Sequence, residues 1–330
     1  NMEQIKRELE LATLPEMPKR LDYRIGIIGA GFIVRNCHLE AYRKAGFNPV
    51  AITSLDLEQS KEVAALHKIE KVYPDWKQLV DDKDIEIIDI AVPPHVQPDI
   101  VEYICKHAAD HIKGILCQKP IAMSIKEARR IVRLGDEAGI PIAVNSNMRY
   151  DQSMRAMKRI LDKGLIGKPL SCRASISRDY GIYAEFLTHL AKKGAGIGFD
   201  MGGYYLTALA AILGPVRSVA AFTATNDPDR VNTRIGAPGF GQAYDVQVPN
   251  VISATMQYAN GVLGTLHMNS DCIEDEETCL KIYGTEGILT MGDPNQFGAP
   301  VYLQKPLCEP VEFPVTHGYQ ENSRGLGAAE

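Results

Sequence analysis

The chain has 330 residues, 45% of them hydrophobic and 23% charged, and its formal net charge at pH 7 is −5. This length allows a sizeable core and predicts about two domains. The sequence contains no run of about 18 apolar residues and no block of five or six like charges. These features argue against a membrane protein and against a nucleic-acid partner.

The seven cysteines are odd in number and include no C-x-x-C pair. This usage predicts a protein of the reducing cytoplasm with no structural zinc, and we expect no metal site. Residues 1–20 have no apolar signal core and are predicted to form one helix, Met2 to Leu11, and a linker. We expect this helix to pack on the outside of the first domain.

Residues 21–147 alternate short apolar runs with segments of helical period. The predicted strands are YRIGIIG, NPVAIT, a short strand near Val72, IEIIDIAV, GILC and IPIAVN. The predicted helices between them are Phe32 to Ala45, Leu57 to His67, Asp75 to Val80, Val96 to His107 and Ser124 to Ala138. Near-continuous apolar strands that alternate with helices predict a doubly wound parallel sheet, covered on both faces.

Residues 148–330 have a different pattern. A helix from Gln152 to Leu161, the alternating strand LSCRASIS and a helix from Asp200 to Leu213 are predicted first. The predicted strands that follow are VRSVAAFTAT, NVISATMQY, GVLGTLHMNS, CLKIYG, GILTMG and PVYLQ. The Asn260-Gly261 pair between two alternating runs predicts a hairpin. We therefore expect an α+β domain with a large, mostly antiparallel sheet that is open on one face.

A glycine-rich turn at residues 29–31 lies between the first predicted strand and the first predicted helix. Gly29 permits a tight turn, Gly31 lets the backbone approach a pyrophosphate, and the helix N-terminus offers N–H groups to its charge. Val34 stands where this fingerprint usually has glycine or alanine, which predicts looser packing of the helix on the strand. The pattern predicts a dinucleotide-binding Rossmann domain whose cofactor contacts include Gly29, Gly31, Phe32 and Ile33.

The end of the second predicted strand is where the adenosine ribose binds in such domains. An acidic residue there contacts the ribose hydroxyls of NAD and repels the 2′-phosphate of NADP. This chain has Ser54, with Asp56 two residues later. Asp56 either contacts the ribose or only caps the following helix. The choice between NAD and NADP stays open, because serine tolerates a phosphate but no arginine follows it.

Two further strand ends are predicted to lie at the same crevice. The loop AVPPHVQPD places Pro93 and His95 there, and His95 is either a nicotinamide contact or an ordinary surface histidine. The strand GILC runs directly into Gln118 and Lys119. A lysine at the end of a buried strand is unfavourable unless its ammonium meets a partner or a reacting oxygen. We therefore expect Lys119 to be functional.

These segments together resemble the glucose-fructose oxidoreductase, inositol dehydrogenase and MocA (Gfo/Idh/MocA) family of NAD(P)-dependent oxidoreductases. The resemblance spans most of the chain and rests on GIIGAGFI, AVPPHV, CQKPIAMS, NSNMRYDQSMRAM, GIGFDMGGYYLTAL and YGTEGIL, in that order. It implies that Lys119, which matches the lysine of the family's E-K-P motif, polarises the reacting oxygen and assists proton transfer. Gln118 stands where relatives have a cofactor-contacting glutamate, and Arg149 falls where relatives line the active site.

The family's D-x-G-x-H motif is matched by residues 200–204, with a tyrosine in place of the histidine. If Asp200 begins the predicted helix, Tyr204 lies four residues on and shares its face. A tyrosine hydroxyl near a lysine ammonium can act as an acid or a base, although Tyr204 could instead simply pack on the sheet. Asp179 and Tyr183 join Arg149 as candidate contacts of substrate hydroxyls.

The resemblance implies hydride transfer between NAD(P) and a hydroxyl or keto carbon of a sugar, sugar derivative or cyclitol. Tyr204 or Asp200 would accept the alcohol proton, and Lys119 would stabilise the developing alkoxide. Relatives often pair through the open sheet face, which implies a homodimer or homotetramer. A second hypothesis, a non-catalytic NAD(P)-binding sensor on the same fold, is left open by departures at Val34, Gln97, Gln118 and Tyr204.

Overall fold

The computed structural model describes residues 2–12, 18–147, 152–184, 188–225, 229–273, 279–296, 298–313 and 326–329. The chain divides into two compact units. The parallel-sheet unit comprises Pro15–Asn147 and Gly318–Glu330, and the mixed-sheet unit comprises Asn1–Leu14 and Met148–His317. The predicted fold class is confirmed for both units. Within the described ranges, no helix has the length and apolar character that crossing a membrane requires.

The parallel-sheet unit has six strands in the order β3-β2-β1-β4-β5-β6. All neighbouring strands run parallel. The order reverses between β1 and β4, and doubly wound sheets bind ligands outside the carboxyl ends of the strands at such a point. The strands are β1 (Arg24–Ile28), β2 (Asn48–Thr53), β3 (Lys71–Val72), β4 (Ile87–Ile90), β5 (Gly114–Gln118) and β6 (Ile142–Asn145).

Helices cover the two faces of this sheet. Their ends follow local sequence signals: the Ser124 hydroxyl accepts the N–H of Glu127 at the start of α6, and Gly139, at φ 67°, ends it. The helices are α2 (Leu39–Ala45), α3 (Leu57–His67), α4 (Trp76–Asp81), α5 (Gln97–His107), α6 (Ile125–Ala138) and the C-terminal α10 (Leu326–Ala329).

The helix after β1 contains a π-helical turn, Val34–His38, that leads into α2. Val34 is fully buried in this turn, which is wider than a turn of α-helix. A buried network ties the turn to the sheet. His38 Nε2 accepts a hydrogen bond from Asn145 (3.1 Å), so the His38 Nδ1 proton is donated to Asp89 (2.7 Å). The Tyr42 hydroxyl also donates to Asp89, at 2.8 Å.

The mixed-sheet unit has eight strands in the order β14-β13-β12-β11-β7-β10-β9-β8. Among these described strands, β7 and β10 pair in parallel and every other neighbouring pair is antiparallel. The predicted Asn260-Gly261 hairpin joins β9 to β10, and β14 was not predicted. The strands are β7 (Pro169–Ser177), β8 (Val216–Ala224), β9 (Val251–Tyr258), β10 (Leu263–Asn269), β11 (Cys279–Gly284), β12 (Ile288–Met291), β13 (Val301–Gln304) and β14 (Val311–Phe313).

One face of this sheet is the core of the unit. Its side chains pack with α7 (Gln152–Asp162) and α9 (Gly202–Leu213), and alternate residues of β10 are buried and exposed. The other face is open. Thr265 lies across from Thr255 on one side and Arg173 on the other, and Arg173 lies beside Lys281.

Both ends of the chain differ from the sequence prediction. Helix α1 (Met2–Ala12) packs on α7 of the mixed-sheet unit, where Glu8 pairs with Lys163 at 2.7 Å, and not on the first domain. Helix α10 packs on α2 of the parallel-sheet unit, where the Gly327 N–H donates to Asn147 at 2.7 Å. An amphipathic pattern predicts that a helix has an apolar face, but it does not predict which surface will cover that face.

The predicted helix from Asp200 to Leu213 is also interrupted. Asp200 is the last residue of a short helix, α8 (Gly196–Asp200), and α9 begins only at Gly202. The expectation that Asp200 and Tyr204 share one face of a single helix is therefore wrong. The consecutive glycines at 202 and 203, which are poor helix formers, lie next to this break.

Candidate cofactor-binding and catalytic residues

The glycine turn after β1 has the geometry that a dinucleotide requires. Gly29 has φ 122°, and a Cβ there would lie 2.3 Å from the Ala91 carbonyl oxygen, so only glycine fits. A Cβ on Gly31 would meet nothing within 4 Å, which leaves the backbone open to a close approach. Phe32 is exposed and Ile33 half-buried at the start of the helix. The turn fits a pyrophosphate against the helix N-terminus.

The carboxylate of Asp56 is engaged in a helix cap. Its Oδ1 accepts the N–H groups of Glu58 (3.0 Å) and Gln59 (3.1 Å) at the start of α3. Ser54 is half-buried, and its hydroxyl bonds to the Asp56 carbonyl and to Ser60. Asp56 thus has the capping role, and a ribose contact for either residue stays a prediction.

The loop after β4 exposes Pro93 and His95 and buries Gln97. The Gln97 Nε2 donates to the carbonyl oxygens of Gln118 (2.8 Å) and Pro120 (2.9 Å). This single buried amide therefore anchors the backbone on both sides of Lys119. In the sequence Gln97 stood out only as a departure from the family, because its helix mixes polar and apolar residues and gives no local sign of a buried glutamine.

The end of β5 places Gln118 and Lys119 in half-buried positions, next to a cis peptide bond between Lys119 and Pro120. The side-chain oxygens of Gln118 and Gln97 are buried and have no hydrogen-bond partner in the part of the chain that the structure describes. Buried acceptors of this kind are unfavourable unless a donor reaches them. The carboxamide and ribose hydroxyls of a nicotinamide dinucleotide are suitable donors, so these residues fit that cofactor.

In the mixed-sheet unit, Asp200 is half-buried and receives a hydrogen bond. The Tyr180 hydroxyl donates to its Oδ2 at 3.0 Å. Burial raises the pKa of Tyr180, and the Asp200 carboxylate raises it further. Tyr180 therefore remains protonated and serves Asp200 as a donor. The sequence analysis did not single out Tyr180.

Helix α9 is fixed next to Asp200 by a second polar group. Tyr205 is fully buried and its hydroxyl donates to Asp293 at 2.9 Å, and Arg178 forms an ion pair with the same carboxylate. Tyr204 is half-buried and packs partly against the core. Arg178 and Tyr180, both just after β7, thus connect to the two helices that carry Asp200 and Tyr204.

The other candidate substrate contacts have different surroundings. Asp179 is buried and accepts bonds from Gly181 (2.8 Å), Thr233 (2.7 Å) and Arg230 (3.1 Å), which makes it a structural anchor of the loop. Tyr183 is half-buried and packs edge-on against Tyr180. Arg149 lies outside the described residues.

Two family models match the chain. One, described as "Oxidoreductase family, NAD-binding Rossmann fold", matches residues 23–146, and the other, the GFO/IDH/MocA C-terminal domain, matches residues 154–290. The chain belongs to the Gfo/Idh/MocA family of oxidoreductases. The predicted family is confirmed, and the description of the first model agrees with the predicted nicotinamide dinucleotide cofactor.

Several members of the Gfo/Idh/MocA family with known activity are similar to this chain. D-apiose dehydrogenase of Paraburkholderia graminis is 27% identical over 76% of the chain and 68% of its own length. Levoglucosan dehydrogenase of Pseudarthrobacter phenanthrenivorans is 27% identical over 80% and 72%. The solved complex of levoglucosan dehydrogenase with NADH and levoglucosan has a TM-score of 0.76 at 21% identity, over 93% of this chain and 88% of that one. This structural likeness supports the fold.

Proposed function

We propose that this oxidoreductase transfers hydride between a nicotinamide dinucleotide and a CH–OH or keto carbon of a sugar, sugar derivative or cyclitol. The observation that carries the proposal is Lys119, which follows β5 at the same edge of the parallel sheet as the glycine turn. The buried Gln97 amide holds the backbone on both sides of this lysine. The names of the relatives, which include dehydrogenases of D-apiose and levoglucosan, support the substrate class.

The proposed roles follow from the chemistry of each side chain. The Lys119 ammonium stabilises negative charge on the reacting oxygen, and Asp200 or Tyr204 accepts the alcohol proton. Tyr180 holds the Asp200 carboxylate in position by the 3.0 Å hydrogen bond. When bound, the nicotinamide supplies the hydride acceptor or donor. Gly29, Gly31, Phe32, Ile33, Ser54, Pro93, His95 and Gln118 are the proposed cofactor contacts, with Arg149 and Tyr183 toward the substrate.

A second candidate is a sensor that binds the cofactor without turnover. It is favoured by Gln118 and Tyr204, which replace a glutamate and a histidine of the family pattern. The enzyme is the better supported of the two, because a sensor has no need of a lysine anchored at the end of β5, at the same sheet edge as the glycine turn.

The two candidates separate in one experiment. Purified protein is incubated with NAD or NADP and a panel of aldoses, anhydrosugars and cyclitols, and the absorbance of reduced nicotinamide is followed. We expect turnover of at least one panel member. Tight cofactor binding by calorimetry, without turnover in either direction on the whole panel, would favour the sensor.

We also propose a cytoplasmic homo-oligomer that associates through the open face of the mixed sheet. The cysteine usage supports the compartment. Exposed apolar side chains on β8 and β10, Phe222 and Leu263, support association through this sheet. Cell fractionation tests the compartment, and the oligomer is tested as described in the Discussion.

A further inference from the structure

The mixed-sheet unit contains a cavity of about 290 Å³ that none of the proposed catalytic or cofactor-binding residues lines. Its walls come from the segment between β7 and α8, from the loop between β8 and β9, and from the residues just after β10. This volume lies just below the range for small-molecule pockets, about 300–1,000 Å³. The cavity therefore has room for a ligand of about monosaccharide size.

The charges that line the cavity balance. Arg230 bonds to Asp179 at 3.1 Å and pairs with Asp271 at 2.8 Å. At the exposed rim, Lys192 lies 3.6 Å from Asp245. The lining thus has two positive and two negative side chains, Lys192, Arg230, Asp245 and Asp271. A neutral polar ligand suits these walls better than an anion or a cation.

A buried amide in the cavity wall lacks partners. Asn250 is 4% exposed, and neither its Oδ1 nor its Nδ2 has a hydrogen-bond partner in the described ranges. Its backbone is satisfied, since its N–H donates to the Ala224 carbonyl (3.0 Å) and its carbonyl accepts from the Ser270 N–H (2.8 Å). Within Asn250, only the side-chain amide therefore lacks hydrogen-bond partners among the described residues. Native proteins rarely bury an amide in this state, so the group calls for a hydrogen-bond partner in the cavity that it faces.

The chemistry of an amide indicates the chemistry of the ligand. Asn250 offers one acceptor and one donor group side by side, and two neighbouring hydroxyl groups can donate to the first and accept from the second. The hydroxyl groups of Ser270 and Tyr244 also line the cavity. We propose that this cavity binds a neutral polyhydroxylated molecule through vicinal hydroxyls on Asn250.

This site goes beyond the proposed dehydrogenase activity and does not depend on it. All of its lining residues belong to the mixed-sheet unit, so binding needs neither the dinucleotide nor Lys119. Tyr180 forms part of the wall and also donates to Asp200 at 3.0 Å, which connects the cavity to a proposed catalytic residue. If the protein showed no dehydrogenase turnover, the cavity proposal would stand. If no ligand bound in the cavity, the proposed dehydrogenase activity would stand.

The test is isothermal titration calorimetry of the full chain without NAD(H), using D-glucose, D-xylose, myo-inositol and D-glucose 6-phosphate. We expect at least one neutral compound to bind and the phosphate ester to bind more weakly. Asn250→Leu is expected to weaken the neutral ligand at least tenfold, because both hydrogen bonds are lost. Lys83→Ala, an exposed change in the other unit, is expected to bind the same ligand within about twofold.

The unfolding temperature gives an independent readout. An amide without partners is replaced by leucine at little or no loss in the ligand-free protein, so Asn250→Leu should melt at the same temperature as wild type or higher. If Asn250→Leu fails to fold, Ala191→Leu, which adds volume to the cavity wall, is expected to weaken binding instead. Binding of no neutral compound without dinucleotide, or equal binding by wild type and the folded variant, would overturn the proposal.

Discussion

The backbone around Lys119 is held by Gln97, the first residue of α5. The Gln97 amide bonds to the carbonyls of Gln118 and Pro120 and so fixes the backbone just before and just after the lysine. A side chain with four rotatable bonds is directed most reliably when the backbone that carries it is rigid. Gln97 is therefore a positioning residue, and Lys119 is the residue proposed to meet the substrate.

Lys119→Ala is expected to lower kcat at least about 100-fold, the usual scale for an acid/base or electrostatic group, with NAD affinity within about threefold. Steady-state kinetics and calorimetry measure the two quantities. The control is Lys83→Ala, which removes an exposed lysine of the same unit that pairs with Asp110 at 2.7 Å. Equal turnover by the two variants would remove Lys119 from the mechanism.

Asp200 depends on Tyr180 in a similar way. Because burial raises the pKa of Tyr180, its hydroxyl remains a donor to Asp200 across the working pH range. Removing that hydroxyl leaves the carboxylate without this bond, and its geometry should loosen.

Tyr180→Phe is expected to lower kcat about tenfold, the loss that corresponds to one hydrogen bond of roughly 1.4 kcal/mol. In an Asp200→Asn background the same change should have little further effect, because the two residues act as one group. Tyr302→Phe, on the open sheet face, is the matched control. Additive losses in the double variant would show that Tyr180 acts independently of Asp200.

At the scale of the element, helix α3 begins with a cap that competes with a cofactor role. Asp56 caps α3 through Oδ1, and Asp75 caps α4 in the same way, accepting the Lys77 N–H at 2.6 Å. Only Asp56 follows the strand where the ribose of a dinucleotide is expected. Comparing alanine variants of Asp56 and Asp75 therefore separates the loss of a helix cap from the loss of a ribose contact.

Asp56→Ala is expected to lower the free energy of unfolding by about 1 kcal/mol, as loss of a cap does, and Asp56→Ser to restore most of it. NAD affinity should change less than about threefold in both. Chemical denaturation and calorimetry measure these effects, with Asp75→Ala as the stability control. A tenfold loss of NAD affinity in the alanine and serine variants alike would instead identify a ribose contact.

At the scale of the whole molecule, the open face of the mixed sheet is a large exposed surface among the described residues. Its centre is polar, with Thr255, Thr265, Arg173 and Lys281 in one cross-strand row. An exposed sheet face with apolar side chains at its margin is typical of a surface that associates.

Thr265→Arg is expected to convert the proposed oligomer to monomer, because it places a second guanidinium beside Arg173 at the centre of the face. Size-exclusion chromatography with light scattering gives the mass. Lys126→Glu, an exposed change in the other unit, serves as control. A wild-type protein that is already monomeric would contradict the proposal directly.

The sequence by itself determined most of the order of helices and strands, the glycine turn and most helix ends. These features depend on local physics. Side-chain period follows from backbone geometry, and glycine and capping residues act within a few positions. The Gly29 turn, the Ser124 cap and the Gly139 end were therefore all predictable.

Only the tertiary structure decided which groups meet. It packed α1 on α7, placed α10 on the parallel-sheet unit, and broke the helix between Asp200 and Tyr204. It also joined Gln97 to the carbonyls of Gln118 and Pro120, 21 and 23 residues away. Among the described residues, it left the Asn250 side chain in a cavity wall without a hydrogen-bond partner. Such contacts depend on long-range packing and on the need to satisfy buried polar groups. The local periodicity of a sequence reveals neither of these two effects.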